Sequence, residues 1–78
     1  MSLTRLERHI LEYVEVNLSP SSTKIAHAMN HCDAMHAIMA LTIHGLLKRH
    51  PHRAPYKPHR YELTEAGREA LRNRRAVA

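Results

Sequence analysis

The run Tyr61-Glu62-Leu63-Thr64-Glu65-Ala66-Gly67-Arg68-Glu69-Ala70-Leu71 changes its period in the middle. Up to Leu63, apolar Tyr61 and Leu63 alternate with polar Arg60 and Glu62, the pattern of a half-buried strand. Beyond Thr64, Gly67, Ala70 and Leu71 recur at helical spacing and would face inward. Thr64 can cap that helix with its hydroxyl, and Glu65 lies where the positive end of the helix dipole favours a carboxylate. Just upstream, Pro55 and Pro58 bracket a turn, since strand interiors rarely accept proline. The spacing therefore predicts strands over 48–53 and 59–63, a stiff tip at Ala54-Pro55-Tyr56-Lys57-Pro58, and a helix from Glu65 to around Arg74.

Charge sharpens this picture. Residues 1–44 carry three Lys or Arg against four Asp or Glu, whereas residues 45–78 carry nine against three. A basic half on a near-neutral half is the expected footprint of a nucleic-acid surface, although a soluble basic face or a cationic tail at Arg72-Asn73-Arg74-Arg75 has the same composition. Seventy-eight residues suffice for one small domain and not two, so residues 1–78 are expected to be one unit. A core of that size leaves a thin stability margin, which makes a homodimer partner an expectation. No apolar run is long enough to cross a membrane and no signal-peptide pattern is present. The lone Cys32 excludes an internal disulfide and suits a reducing, cytoplasmic setting.

The first half predicts three helices. Leu3, Leu6, Ile10 and Val14 make residues 3–17 amphipathic, with Arg8 and Glu12 placed to pair at i,i+4. Leu11, Tyr13 and Leu18 widen the stripe as core edge or as a dimer surface. Ser19-Pro20-Ser21-Ser22 stops that helix and offers a cap to the next, over Thr23 to Asn30, whose buried side is Ile25, Ala26 and Met29. After a turn at Asn30-His31-Cys32, Asp33 is placed to cap a third helix from Ala34 to about Leu47, with Ala34, Ile38 and Leu41 inward.

The Tyr-x-Leu-Thr-x-x-Gly-x-x-x-Leu run, with the preceding Gly45-Leu46-Leu47, resembles the wing and following helix of winged helix-turn-helix regulators of the MarR and PadR type. Ile25-Ala26-x-x-Met29 resembles the first helix of a helix-turn-helix pair. The resemblance implies a mainly α fold with a small β-hairpin: a three-helix core, a two-stranded wing and a C-terminal helix. It also implies a short strand near Ser19–Ser22 against the wing, and a DNA-binding transcriptional regulator, a repressor among other types, of bacterial or phage origin acting on double-stranded DNA. The chain departs from the pattern in two ways. The stretch from Met29 to Leu41 and Gly45 is about two residues short. The third helix, the one that would enter the major groove, shows Met35, His36, Met39, Ile43 and His44 outward, with no Lys or Arg before Lys48.

Base edges are read chiefly by Arg, Lys, Asn and Gln, so that helix is poorly equipped for direct readout. The basic side chains cluster instead on the wing: Lys48, Arg49, Arg53, Lys57 and Arg60 would reach phosphates or the minor groove. Thr23, Lys24, Met35, His36 and Met39 surround the entry to the major groove and complete the expected DNA-binding set. Met35, Met39 and Ile43 are core if that helix sits shallowly on its neighbours; exposed, they would instead suit a protein partner, as in a small phage protein that inhibits a host protein. Eight histidines include His31 and His36 around Cys32, with His27 one turn earlier, but a closed zinc site normally needs four ligands and there is no second cysteine. No metal, cofactor or catalytic role is expected: no nucleophile–base pattern or phosphate-cradling glycine loop is present, and Cys32 is expected to be structural.

Overall fold

A computed structural model describes residues 3–50 and 57–77, with the backbone alone for residues 74–77. The order is α1 (Arg5–Asn17), α2 (Ser22–Met29), α3 (Ala34–Ile43), β1 (Leu47–His50), β2 (Arg60–Leu63) and α4 (Glu65–Val77). The chain is thus mainly helical with one antiparallel hairpin, as its pattern predicts. None of the helices among the described residues is long and apolar enough to cross a membrane.

Helix α1 starts at Arg5 because Thr4 closes a capping box with Glu7: the Glu7 N–H donates to Thr4 Oγ1 at 3.1 Å, and the Thr4 N–H donates to Glu7 Oε1 at 2.9 Å. Ile10, Leu11 and Val14 are buried beneath it, and Leu6, expected in the core, is only half-buried. The helix ends where Leu18 and Ser19 take positive φ values of 42° and 52°. That reversal leaves Leu18, expected at the core edge or on a dimer surface, 82% exposed and so outside the core.

The reversed chain then runs beside the hairpin. Ser21 bridges Arg60 antiparallel, the Tyr61 N–H donates to the Pro20 carbonyl and the Ser22 N–H to that of His59, both at 3.0 Å. Where the resemblance implied a short strand there is thus a single bridge, and the sheet itself stays two-stranded. Ser21 also caps α2, its hydroxyl accepting the Lys24 N–H at 3.2 Å. Within α2, Ile25 is fully buried, while Ala26 and Met29 are half-buried.

Helix α3 begins at Ala34 as expected, so the short spacing does not come from a shifted start. Asp33 occupies the N-cap position, but its carboxylate makes no capping bond. The helix ends at Ile43, well before the expected Leu47, and Gly45 is the reason. Gly45 has φ +78°, its N–H donates to Thr42 O at 3.1 Å, and the Leu46 N–H reaches back to Leu41 O at 2.9 Å. This is a Schellman closure with glycine in the left-handed position it requires. It frees Leu46 and Leu47 to turn inward, where both are buried.

The strand–helix junction locks onto that closure. The Thr64 N–H donates to Leu46 O at 3.2 Å, its hydroxyl donates to Gly45 O at 2.7 Å, and it accepts the Gly67 N–H at 3.0 Å. A Cβ on Gly67 would lie 2.3 Å from Leu46 O, so only glycine lets α4 approach this closely. The Thr-x-x-Gly signature is therefore the clamp that joins the start of α4 to the end of α3. Beneath it, Ile25, Ile38, Leu41, Leu47, Tyr61, Leu63 and Leu71 join the α1 side chains in one core, with Ala70 packed at its edge.

The hairpin pairs Leu47 with Leu63, Lys48 with Glu62, Arg49 with Tyr61 and His50 with Arg60. The first strand begins one residue earlier than expected. Its expected continuation over 51–53 and the tip residues Ala54, Pro55 and Tyr56 lie outside the described residues.

Candidate nucleic-acid interface

Period-two alternation sorts the hairpin side chains onto two faces. Tyr61 and Leu63 point into the core, so Lys48, His50, Arg60 and Glu62 share the outer face. Arg49 pairs with Tyr61 and belongs to the inner face, yet it is exposed. Lys57 is exposed just before β2, and Arg53 lies outside the described residues. The wing cations thus flank the hairpin on both faces, where the sequence reading treated them as one group.

Glu62 tempers the outer face. Its Oε2 lies 2.6 Å from His50 Nε2. The His50 hydrogen bond holds the carboxyl below its ordinary value of 4.5, opposed by desolvation and helped by the charges of His50, Lys48 and Arg68. Lys48 therefore stands beside a carboxylate, whereas Arg60, at the other end of β2, has no acidic partner among the described residues.

On α3, Ala34, Ile38 and Leu41 are buried, and the opposite side is bare. Met35 is 45% exposed, Met39 55% and Ile43 78%, with exposed His36 and His44 beside them. These apolar side chains are therefore surface, resolving the two readings that the sequence leaves open. Thr23 and Lys24 are exposed in the first turn of α2.

Lys24 and Arg60 are brought together. Both line a polar notch of about 220 Å³ between the α1–α2 loop, α2 and β2, whose walls include Asn17, Ser19 and Ser21. The sequence reading named the two cations separately and missed the notch, which arises only because the Ser21 bridge sets β2 against α2. The one group of potential metal donors among the described residues is His31, Cys32 and Asp33, all exposed, with donor atoms within 4.8 Å of one another. His36 is not in it, and His31 Nδ1 already accepts the Asp33 N–H at 3.0 Å.

No protein-family model and no curated protein matches this sequence. Solved structures do match its shape. A Staphylococcus aureus MepR variant bound to an oligodeoxyribonucleotide superposes with TM-score 0.84 at 16% identity, over 96% of this chain and 57% of that one. The fold is the MarR-type winged helix. The zinc-responsive MarR family member ZitR of Lactococcus lactis gives 0.81 at 19% identity, over 97% of this chain and 54% of that one. The adhesin competence repressor AdcR of Streptococcus pyogenes gives 0.80 at 22% identity, over 97% and 56%. The winged helix described here thus spans little more than half the length of the regulators it resembles. In its terms α2 and α3 are the helix-turn-helix pair, α3 stands in the recognition position and β1–β2 is the wing.

Proposed function

We propose that this winged helix is a double-stranded DNA-binding unit of a bacterial or phage transcriptional regulator, non-enzymatic and cytoplasmic, acting as a homodimer. The observation that carries the reading is the pairing of this fold with cations concentrated on and around the wing. Lys48, Arg49, Lys57 and Arg60 are all exposed, in a half of the chain with nine Lys or Arg against three acidic residues. Arg53 belongs to the same set by sequence. Such side chains neutralise phosphates and position a protein on the duplex without reading sequence. The recognition position supports little direct readout, because Met35, His36 and Met39 offer apolar contacts and imidazoles in place of the Arg, Asn or Gln that pair with base edges. Affinity should come mainly from the wing and discrimination between sequences should be weak.

The test is binding of the chain to mixed-sequence duplex DNA at several salt concentrations. The expected result is an affinity that falls steeply and log-linearly with salt, by about 0.9 in slope for each phosphate neutralised. Absence of salt-dependent binding even at low ionic strength overturns the reading. A second reading is favoured by the exposure of Met35, Met39 and Ile43: a winged helix that docks a protein partner through α3. In that case those three side chains are the anchors, and their truncation abolishes binding while wing substitutions alter mainly the association rate.

A further inference from the structure

The notch beside α2 is built from rigid parts. The Ser21–Arg60 bridge and its two flanking 3.0 Å hydrogen bonds hold β2 against the entry to α2. Directly opposed residues of an antiparallel pair have Cβ atoms roughly 5 Å apart, so Arg60 projects beside Ser21. The Ser21 hydroxyl in turn accepts the backbone N–H of Lys24, which fixes where that residue's side chain starts. Two cationic residues border one recess, together with Asn17, Leu18, Ser19, Pro20 and Ser21. No Asp or Glu lines it, and neither Lys24 nor Arg60 has an acidic partner among the described residues. The nearest acid along β2, Glu62, is engaged by His50. Like charges held together without a counter-charge raise the local anion concentration. The recess of about 220 Å³ accommodates a tetrahedral oxyanion with several waters, each occupying roughly 30 Å³.

We propose that this notch is a phosphoryl-binding site in which Lys24 and Arg60 grip one phosphate group between them. The ligand is a single backbone phosphodiester of the duplex, which rests on the DNA-binding reading above; free phosphate shares its chemistry. Held by the notch, one phosphate would fix the register of the protein on the duplex, with Ser19 and Ser21 donating to the oxygens that the cations leave free.

Two measurements on the full chain decide the matter. In the first, inorganic phosphate is titrated at constant ionic strength against chloride while backbone and side-chain resonances are followed. Saturable shifts confined to Ser19, Ser21, Lys24 and Arg60, lost in Lys24→Gln and in Arg60→Gln, support the site. In the second, DNA affinity is measured against salt for the two single variants and the double variant. A shared phosphate makes the losses non-additive: the double variant flattens the salt slope by about 0.9, as one contact does, and not by about 1.8. Saturable phosphate shifts without any DNA binding would identify free phosphate as the ligand, keeping the notch and removing the DNA reading. DNA binding with additive slope losses, or no saturable phosphate shift, overturns the notch and leaves the DNA reading standing. Both side chains are exposed, so unchanged thermal midpoints are expected and confirm that the variants fold.

Discussion

Helix α3 and the β1–β2 hairpin meet at the Gly45–Leu46 turn, and they show opposite chemistry to solvent. The outer side of α3 is Met35, Met39 and Ile43; the hairpin carries Lys48, Arg49 and Arg60, with Lys57 at its approach. Inside, both are anchored in one core, α3 through Ile38 and Leu41 and the hairpin through Leu47, Tyr61 and Leu63. The helix in the recognition position of the fold therefore carries side chains ill suited to base edges, while the hairpin carries the charge. Under the DNA-binding reading proposed above, affinity and sequence discrimination would fall to different elements, and affinity would have the larger share of the polar chemistry.

The comparison breaks most readily inside α3. Ile38→Ala and Leu41→Ala should each cost about 2–5 kcal/mol in denaturant unfolding, because both side chains are fully buried. Met39→Ala and Ile43→Ala, one residue or two away, should change stability by less than about 0.5 kcal/mol. Similar losses on both sides of the helix would mean that its outer face is covered in solution. The junction between the two regions is tested by Gly67→Ala. The added methyl meets the Leu46 carbonyl, an overpacking cost of about 3 kcal/mol, offset by up to about 1 from better helix propensity, for a net loss near 2 kcal/mol by thermal or chemical unfolding. A neutral result would show that α4 is not clamped at Leu46.

Much of this was legible before any coordinates. The period change at Thr64 located β2 and α4, and charge asymmetry located the basic half. What the sequence reading lost were features made by tertiary contact or by backbone conformation. It carried α3 through Gly45, although glycine at that point is a helix stop. It passed over Thr4-Arg5-Leu6-Glu7, whose capping box sets the start of α1. It put Leu18 near the core because spacing cannot reveal a reversal at positive φ. It left Met35, Met39 and Ile43 open because α3 is apolar on nearly all sides, so the inward stripe of Ala34, Ile38 and Leu41 could not show how far burial extends around the helix. The Lys24–Arg60 notch depends on a single bridge between residues far apart in sequence, and no local signal announces it.

The smallest expected effect concerns the one outer-face carboxylate of the hairpin. Glu62 is held below its ordinary value by His50, so its contribution to folding is present above pH 4.5 and is lost as pH falls through its lowered folded value. Wild type and Glu62→Gln should therefore differ slightly in unfolding midpoint near neutral pH and converge in acid below pH 4.5. A difference that grows in acid would contradict the sign. For DNA, the same substitution removes a negative charge beside Lys48 and should modestly strengthen binding at low salt.

The measurement that bears most directly on the division between wing and helix is the salt dependence of DNA binding in two variants. One replaces Lys48, Arg49 and Lys57 with alanine; the other is Met39→Ala. The first should flatten the slope of log affinity against log salt by up to about 2.7, at about 0.9 per lost phosphate contact, and weaken binding to all sequences alike. The second should leave the slope unchanged, since an apolar side chain there can touch only a thymine methyl. An unchanged slope in the wing variant, with binding abolished by Met39→Ala, would contradict the account.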